Sequence, residues 1–494
     1  MQTEHYDLIV IGGGPSGYAG AMRAIDFGKK VLLIEKRKIG GAGVYNGVLT
    51  SKTLWEQALK VASIREMIPH YEPKFKEVSR IVDESVFERK TQMTVHLQLL
   101  QKLRDRLFFY EKGKAELIDK HTVQITKDDG TKKTVTTENI LIATGSRPRI
   151  PVNIQVDEKA IVTSDGIKNF TDFPESMVVL GAGVIGCEFA TIFSAFGKTK
   201  VYLIDKADRI LPFEDADIAD VVKHNLESQG AIVHQGASLK RMEIVDGKVE
   251  YELEYKDGRT ELIKVEKALI SIGRVANIEN IGLENAGIRI NERGCIWDDD
   301  TQTNISNVYV AGDATTEVAL VNVGEREARH AVVRMFGPTI KPLTYKNIST
   351  IMFLNPEVAA VGMSEQECNA KGIAHKVVKL DYSTNARAIA MRKTKGFFKI
   401  IVTNDNGMRI LGMRVVGEHA SSAIQAVAYL IHTNQGIREL ADMMHPHPSI
   451  IEGVQECLRM LLNKSIYKPY VFKDRLKCYV CENGVCTPIE HLVN

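Results

Sequence analysis

The chain has 494 residues, of which 44% are hydrophobic and 26% are charged, as is usual for a globular enzyme of about three domains. Its 64 Lys and Arg residues nearly balance its 62 Asp and Glu residues, and the net charge of +2 excludes a function based on electrostatic attraction to nucleic acid or to an anionic membrane. We find no apolar stretch long enough to span a membrane and no signal or transit pattern, so we expect a cytoplasmic protein without membrane insertion.

Residues 7–35 have the pattern of a strand, a glycine-rich turn, a helix and a second strand. Gly12 permits the tight turn, Gly14 lets a pyrophosphate approach the backbone, and Gly17 allows the helix to pack closely on the strand. The helix N-terminus offers unpaired N–H groups to the phosphates. Glu35 ends the second strand and is placed to accept hydrogen bonds from a ribose diol. The residues that we assign to this dinucleotide site are Gly12, Gly14, Pro15, Ser16, Gly17, Glu35, Lys36 and Gly41.

A second copy of this pattern follows, and its second strand ends at Asp205. The acidic side chain favours a free 2′-hydroxyl and repels a 2′-phosphate, so we expect NADH, with NADPH as an alternative. Two such units in one chain imply two bound dinucleotides, for which hydride transfer between a nicotinamide and a flavin is the natural chemistry. The residues assigned to the second site are Gly181, Gly183, Gly186 and Asp205.

Four further motifs occur in a characteristic order: GKAEL (113–117), ILIATGSRPRIP (140–151), SIGRVAN (271–277) and VYVAGDA (308–314). With them, residues 5–466 resemble the pyridine nucleotide-disulfide oxidoreductases typified by lipoamide dehydrogenase. The resemblance implies FAD on the first unit, NAD(P)H on the second, and a homodimer. The FAD contacts that it adds are Ala115, Thr144, Gly145 and Asp313, and the further cofactor-binding residues are Gly273, Arg274 and Gly312.

The implied fold is α/β, with two Rossmann-like dinucleotide-binding domains and a C-terminal α+β dimerisation domain. The predicted domains are 1–148 (FAD-binding, first part), 149–274 (NAD(P)-binding), 275–345 (FAD-binding, second part), 346–466 (interface) and 467–494 (a Cys-containing tail).

The segment Gly40–Lys52, GGAGVYNGVLTSK, departs from the family pattern GGTCxxxxCxPSK. Gly43 and Val48 stand in place of both cysteines, so we expect a protein without the family's redox-active pair. Lys52 is retained, together with the glutamate that pairs with it in the family, here Glu188. A cation there would stabilise negative charge on the flavin during reduction, and a purely structural ion pair is the alternative.

The segment His445–Glu452, HPHPSIIE, resembles the HxHPTxxE motif of lipoamide dehydrogenase. The resemblance makes His447 a general acid/base and Glu452 the carboxylate that orients it. Without the dithiol, His447 either protonates another acceptor or only stabilises the dimer interface.

These features predict an FAD-dependent NAD(P)H:acceptor oxidoreductase. In this prediction, hydride passes from NADH to FAD and then directly to a quinone or another small electron acceptor. A pyridine nucleotide transhydrogenase is the first alternative, and a non-catalytic flavin-binding redox sensor or scaffold is the second. Dihydrolipoamide dehydrogenase ranks last, because Gly43 and Val48 cannot form a mixed disulfide.

The C-terminal tail places Cys478, Cys481, Cys486 and His491 at C-x2-C-x4-C-x4-H spacing. Four N and S ligands predict a tetrahedral zinc site. A redox-active tail and an unstructured end with incidental cysteines are the alternatives. The other cysteines occur singly, so we expect no disulfide framework.

Overall fold

The computed structural model describes residues 4–103 and 107–489. The chain divides into two compact units, each made of segments that are distant in sequence. The first unit comprises Met1–Gln57, Glu72–Asp172 and Ile270–Leu343. The second comprises Ala58–Tyr71, Phe173–Leu269 and Thr344–Asn494. The domain boundaries expected from the sequence stay a prediction.

Helices and strands alternate along most of the chain. From residue 4 to 163 they are β1 (Glu4–Ile11), α1 (Pro15–Asp26), β2 (Val31–Glu35), α2 (Gly41–Val44), α3 (Val48–Met67), α4 (Phe75–Leu103), β3 (Phe108–Lys112), β4 (Lys114–Leu117), β5 (Thr122–Thr126), β6 (Lys132–Ile142), β7 (Ser146–Pro148) and β8 (Ile161–Thr163). From 176 to 276 they are β9 (Ser176–Leu180), α5 (Val184–Phe196), β10 (Lys200–Asp205), α6 (Ala216–Ser228), β11 (Ile232–Gln235), β12 (Ala237–Val245), β13 (Lys248–Tyr255), β14 (Thr260–Val265), β15 (Lys267–Ile270) and β16 (Arg274–Ala276). From 308 to 488 they are β17 (Val308–Val310), α7 (Val321–Phe336), β18 (Ser349–Met352), β19 (Val358–Gly362), α8 (Glu365–Ala370), β20 (His375–Asp381), α9 (Ala386–Ala390), β21 (Phe397–Thr403), β22 (Ile410–Val416), α10 (Ile424–Thr433), α11 (Arg438–Asp442), α12 (Ile451–Leu461), β23 (Leu476–Glu482) and β24 (Val485–Pro488).

The first unit is built on a sheet in the order β3-β2-β1-β6-β5-β4, with β17 also pairing with β6. Strands β3, β2, β1, β6 and β17 are parallel, which explains why β2 is buried along its whole length and β1 along its second half. Apolar side chains of α1 and α7 cover one face of the sheet. This arrangement places the carboxyl ends of β1 and β2 beside the N-terminus of α1, where a doubly wound sheet binds its ligand.

Asp298 lies between β16 and β17, and its carboxyl group carries a pKa raised from 3.8 to about 6. Burial is the main cause, nearby carboxylates add to it, and a hydrogen bond from the Thr301 backbone N–H opposes it. A raised carboxyl pKa means that the folded state binds the proton more tightly than the unfolded state. This contribution to stability is therefore complete below about pH 4 and is lost as the pH rises through about 6.

We expect Asp298→Asn to stabilise the protein by about 1–2 kcal/mol at pH 7.5, because it removes a poorly solvated charge and keeps the acceptor for Thr301. Urea unfolding at pH 7.5 and at pH 4.5 measures the effect. Equal stabilisation at both pH values would show that the gain does not come from the carboxyl charge.

The second unit contains a sheet with strands in the order β11-β10-β9-β15, in which β11, β10 and β9 pair in parallel. Helix α5 is apolar on nearly all sides, and every residue from Gly186 to Phe196 is buried. Strands β12, β13 and β14 form a separate antiparallel sheet. The local order of strand, turn, buried helix and strand at β9-α5-β10 repeats that of β1-α1-β2.

The C-terminal part of the second unit is an antiparallel sheet in the order β18-β19-β22-β21-β20-β23-β24. Its core combines sheet residues such as Phe398 and Met413 with residues of α10 and α12. The tail therefore has regular structure from Leu476 to Pro488, because β23 and β24 extend this sheet beyond β20.

The structure does not support the predicted zinc site. Cys478 packs in the core on one face of β23, whereas Cys481 lies on the other face, because successive strand residues alternate. Cys481 instead forms a disulfide with Cys486 on the neighbouring strand, which removes both sulfur atoms from the predicted set of zinc ligands. His491 lies outside the described residues.

No helix in residues 4–103 and 107–489 is both long enough and apolar enough to cross a membrane.

Candidate active site

In the first glycine-rich turn, the fold itself requires glycine at two positions but not at a third. Gly12 has φ +109°, and a Cβ there would lie 2.3 Å from the carbonyl oxygen of Ala143. A Cβ on Gly17 would lie 1.9 Å from the carbonyl oxygen of Gly12. Gly14 precedes α1 with an extended backbone, and a Cβ there would meet nothing within 4 Å. The open space beside Gly14 is where a pyrophosphate fits, against the N-terminus of α1.

Glu35 is fixed against this turn. Its Oε2 accepts a hydrogen bond of 2.7 Å from the backbone N–H of Gly13, and its Oε1 accepts one of 2.7 Å from that of Arg37. A carboxylate has further lone pairs, so Glu35 can still accept from a ribose diol. Lys36 follows it, and burial together with the cations of Arg37 and Arg147 lowers the pKa of Lys36.

Ser16, Gly41 and Gly312 lie close around the start of α1. A Cβ on Gly41, which has φ +50°, would lie 3.2 Å from the Cα of Gly14. A Cβ on Gly312 would lie 2.5 Å from the hydroxyl oxygen of Ser16. Pro15 is the first residue of α1, where its missing N–H is tolerated. Ala115 is buried in β4.

Thr144 has a buried hydroxyl group with no hydrogen-bond partner among the described residues. A buried hydroxyl normally has a partner, so this one suits a ligand. Asn277 holds the backbone of Thr144 and Gly145 in place. Its side chain donates to the carbonyl oxygen of Thr144 at 3.1 Å, and its backbone N–H donates to the carbonyl oxygen of Gly145 at 2.8 Å. Gly145 has φ +67° and open space beside it. These features fit the FAD contacts predicted at Thr144 and Gly145.

Arg274, Ser146 and Asp313 form a hydrogen-bonded chain. Arg274 Nε donates to Ser146 Oγ at 2.7 Å, and that hydroxyl donates to Asp313 Oδ2 at 2.5 Å. Arg274 follows Gly273, which has φ +105°. Ser146 was not among the predicted residues, although it directly follows Gly145. Its hydroxyl group holds the carboxylate of Asp313, the residue that the sequence predicts as a flavin contact.

The second glycine-rich turn reproduces the first. A Cβ on Gly183 would meet nothing within 4 Å, as at Gly14. Gly181 has φ +100°, and Gly186 is buried in the first turns of α5. Asp205 accepts from the backbone N–H of Ala182 at 2.7 Å, as Glu35 does from Gly13, and from that of Ala207 at 2.9 Å. The second turn therefore offers the same kind of site, suited to a pyridine nucleotide.

Lys52 lies in α3, and Glu188 lies in α5. Glu188 is buried, and its Oε1 accepts from the backbone N–H of Phe353 at 3.1 Å. The two residues belong to different compact units, and their pairing stays a prediction. Gly43, in α2, packs tightly, because a Cβ there would lie 2.7 Å from the Pro15 ring.

His447 and Glu452 form the predicted pair in the second unit. His447 Nδ1 lies 2.8 Å from Glu452 Oε1, and the backbone N–H of Ser449 donates to Glu452 Oε2 at 2.7 Å. Burial alone would raise the pKa of Glu452, but the hydrogen bonds from His447 and Ser449 lower it overall. The carboxylate thus stays charged and holds the imidazole through Nδ1, so that Nε2 is the ring nitrogen not bonded to Glu452.

An open cleft of about 520 Å³ is lined by Arg387, His419, Ser421, Ser422 and the three residues that follow His447 in the sequence, Pro448–Ile450. The side chain of His447 itself is 70% exposed. A small substrate therefore has access to the imidazole.

Together, these features define an FAD-dependent oxidoreductase that also binds a pyridine nucleotide. Residues 6–328 match the family model described as pyridine nucleotide-disulphide oxidoreductase, and residues 348–458 match the dimerisation domain of the same family. The chain belongs to the pyridine nucleotide-disulphide oxidoreductase family. Its dimerisation domain supports a homodimer.

Relatives extend over almost the whole chain. A dihydrolipoyl dehydrogenase of Bacillus subtilis is 31% identical over 486 residues, covering 94% of this chain and 100% of the relative. A dihydrolipoamide dehydrogenase of Chaetomium thermophilum is 31% identical over 93% of this chain and 92% of its own length. Among solved structures, LpdA from Mycobacterium tuberculosis has a TM-score of 0.84 at 28% identity, with 92% of this chain and 99% of that chain covered. The HOCl-induced flavoprotein disulfide reductase RclA from Escherichia coli, in a Cu(II) complex, has a TM-score of 0.83 at 26% identity, covering 93% of this chain and 100% of that chain.

These comparisons confirm the α/β fold, the FAD-dependent oxidoreductase class and the use of a pyridine nucleotide. They contradict the predicted function. Direct electron transfer to a quinone was ranked first and dihydrolipoamide dehydrogenase last, yet relatives named dihydrolipoyl dehydrogenase match the chain over nearly its full length. The two alternatives ranked between them, a transhydrogenase and a non-catalytic scaffold, are not supported either.

Proposed function

We propose that this protein couples a pyridine nucleotide to a dithiol–disulfide pair, the reaction class of dihydrolipoyl dehydrogenase. The observation that carries the proposal is the pairing of the exposed His447 with Glu452. Oxidation of a dithiol by NAD⁺ yields a disulfide, NADH and one proton. A histidine held by a carboxylate is suited to accept the thiol proton near neutral pH.

Each of the two glycine-rich turns binds one of the two cofactors. FAD, when bound, would transfer electrons between the nicotinamide and the sulfur atoms of the dithiol–disulfide pair. The N–H groups at the start of α1 bind its pyrophosphate, and Glu35 binds its ribose. Thr144 and Asp313 supply further hydrogen bonds. The turn at Gly183 and the carboxylate of Asp205 bind the pyridine nucleotide.

The proposal also concerns where the protein's own reactive cysteines lie. The segment with Gly43 and Val48 carries no cysteine, so we propose that this chain lacks the pair that its family carries there. The same C-x4-C spacing occurs once in the sequence, at Cys481 and Cys486, which are joined in the structure. A disulfide reaction in this protein can therefore involve its own sulfur atoms at a different place in the chain.

Reduction of NAD⁺ by dihydrolipoamide, followed by absorbance of NADH, tests the proposed function. We expect turnover that depends on FAD. A monothiol at the same thiol concentration serves as the control and should react far more slowly, because it cannot close a disulfide within one molecule. The proposal would be contradicted if NADH reduced the flavin rapidly but the protein turned over no dithiol.

Asp205 should determine the choice of pyridine nucleotide. We expect Asp205→Asn to lower the ratio of kcat/KM for NADH over NADPH about tenfold, because it removes the charge that repels a 2′-phosphate and keeps an acceptor for Ala182. Asp208→Asn is a matched control, since it removes the same charge from an exposed residue three positions on that pairs with Lys256. An equal change in both variants would indicate a general charge effect.

A further inference from the structure

The hairpin β23–β24 carries the one disulfide among the described residues. Cys481 and Cys486 face each other across the two strands, and Asn483 and Gly484 form the two-residue turn between them with φ +52° and +78°. Both values are those of a type I′ turn, which Asn-Gly favours. The turn and the pairing of β23 with β20 define the hairpin without the disulfide.

The two sulfur atoms differ in their access to solvent. Cys481 is 1% exposed, whereas Cys486 lies on the outer strand and is exposed. A thiolate from solution can therefore reach Cys486, with Cys481 as the buried leaving sulfur. Exchange proceeds through such an attack on one sulfur of the disulfide.

The buried sulfur lies beside a carboxylate. Glu365 Oε1 is 3.9 Å from Cys481 Sγ, and Glu365 Oε2 accepts from the Tyr479 hydroxyl at 3.0 Å. Lys399, which also pairs with Asp215, holds the same carboxylate at 2.5 Å. After the bond between the two sulfur atoms breaks, Glu365 Oε1 can accept a hydrogen bond from the Cys481 thiol, which stabilises the protonated, reduced form of Cys481.

The loop that this bond closes is short, so the bond stabilises the fold less than a disulfide across a longer loop would. A disulfide constrains the unfolded chain more when the loop that it closes is longer, and only four residues lie between Cys481 and Cys486. Four of the free thiols offer no site of comparable access, since Cys187, Cys368, Cys457 and Cys478 are buried. Burial raises the pKa of Cys478 to about 12 and that of Cys368 to about 11, which keeps both protonated near neutral pH.

We propose that Cys481–Cys486 is a thiol–disulfide exchange site for a small vicinal dithiol, and this inference rests on the proposed function. One thiolate of the dithiol attacks Cys486 Sγ, the bond to Cys481 breaks, and Cys481 takes a proton. The second thiol of the substrate then attacks the mixed disulfide and releases Cys486. The substrate becomes a disulfide, the protein gains two thiols, and the two protons of the substrate end on Cys481 and Cys486.

Equilibration of the full-length flavoprotein with mixtures of lipoamide and dihydrolipoamide tests the site without any pyridine nucleotide. Native-state alkylation and mass spectrometry then measure the reduced fraction of the exposed Cys486, and alkylation after acid quenching and denaturation measures that of the buried Cys481. We expect both fractions to follow the ratio of the two lipoamide forms, while Cys187, Cys368, Cys457 and Cys478 stay unlabelled in the native protein. A pair that stays oxidised, or stays reduced, at every ratio would overturn the proposal.

Two matched variants test the asymmetry. Cys481→Ser leaves the exposed thiol and Cys486→Ser leaves the buried one, so an aromatic disulfide reagent should react about 30-fold faster with the first variant. Equal rates would overturn the assignment of Cys486 as the attacked sulfur. Circular dichroism establishes that both variants fold. A pair that exchanges with dihydrolipoamide in a protein that cannot reduce NAD⁺ would refute the proposed function and leave the exchange site intact.

Discussion

Gly14→Ala is expected to abolish FAD binding and to leave the polypeptide folded. The added methyl group would meet no protein atom within 4 Å, and the backbone of Gly14 has φ −72°, which alanine adopts readily. The methyl group would instead occupy the path of the pyrophosphate across the turn. We expect a loss of about 100-fold or more in affinity, measured as the flavin content of the purified protein and by titration of the apoprotein with FAD.

Gly183→Ala is the matched control, because its Cβ also meets nothing within 4 Å and its backbone has φ −77°. This variant should keep its full flavin content and lose affinity for the pyridine nucleotide. Loss of FAD from Gly183→Ala, with retention of FAD by Gly14→Ala, would reverse the assignment of the two turns. Retention of both cofactors by both variants would contradict the binding mode.

His447→Gln is expected to lower kcat for dihydrolipoamide oxidation by a factor of about 10² to 10⁴. The substitution removes the group that accepts the thiol proton, while the dinucleotide turns are unchanged. Reduction of the flavin by NADH needs no proton from His447, so its stopped-flow rate should stay within about twofold of the unmodified protein. This split between the two half-reactions is the expected signature of an acid/base role.

His445→Gln provides the control for the same loop. His445 Nε2 lies 3.4 Å from the Leu440 carbonyl oxygen, a contact that glutamine can replace, and that variant should retain near-normal turnover. Glu452→Gln should have an intermediate effect, since it keeps an acceptor for Ser449 but removes the charge that stabilises the imidazolium. A His447→Gln enzyme with unchanged dithiol turnover would show that the pair only stabilises the structure.

The dinucleotide turns could be predicted from the sequence because their chemistry is local. Gly12 and Gly17 are required by backbone contacts only a few ångströms away, and the strand that ends at Glu35 follows within one supersecondary unit. The same holds for Gly181 and Asp205. Ser146 could not be predicted, since its role depends on Arg274 and Asp313, which are distant in sequence.

The tail was misinterpreted although its sequence contains the decisive signal. Asn483-Gly484 predicts a two-residue hairpin, and a hairpin places Cys481 directly opposite Cys486. Strand alternation then puts Cys478 on the other face, which separates it from the other two cysteines. The spacing alone favours metal ligands over the redox-active alternative, and the strand geometry of the hairpin reverses that preference.

The predicted function was wrong because one local departure was given more weight than the whole chain. The absence of thiols at Gly43 and Val48 places dihydrolipoamide dehydrogenase last in the prediction, although a redox-active tail stays among its alternatives. The relatives match the chain from the first turn to the dimerisation domain, and the structure contains a disulfide with the same spacing elsewhere.

An anaerobic titration with NADH, followed through the flavin absorbance and by counting thiols after each addition, tests the central claim most directly. A protein that couples a pyridine nucleotide to a dithiol–disulfide pair should take up four electrons per FAD, two on the flavin and two on Cys481–Cys486. Cys481→Ser should take up only two. Uptake of two electrons by the unmodified protein, with the disulfide still intact at the end point, would contradict the account.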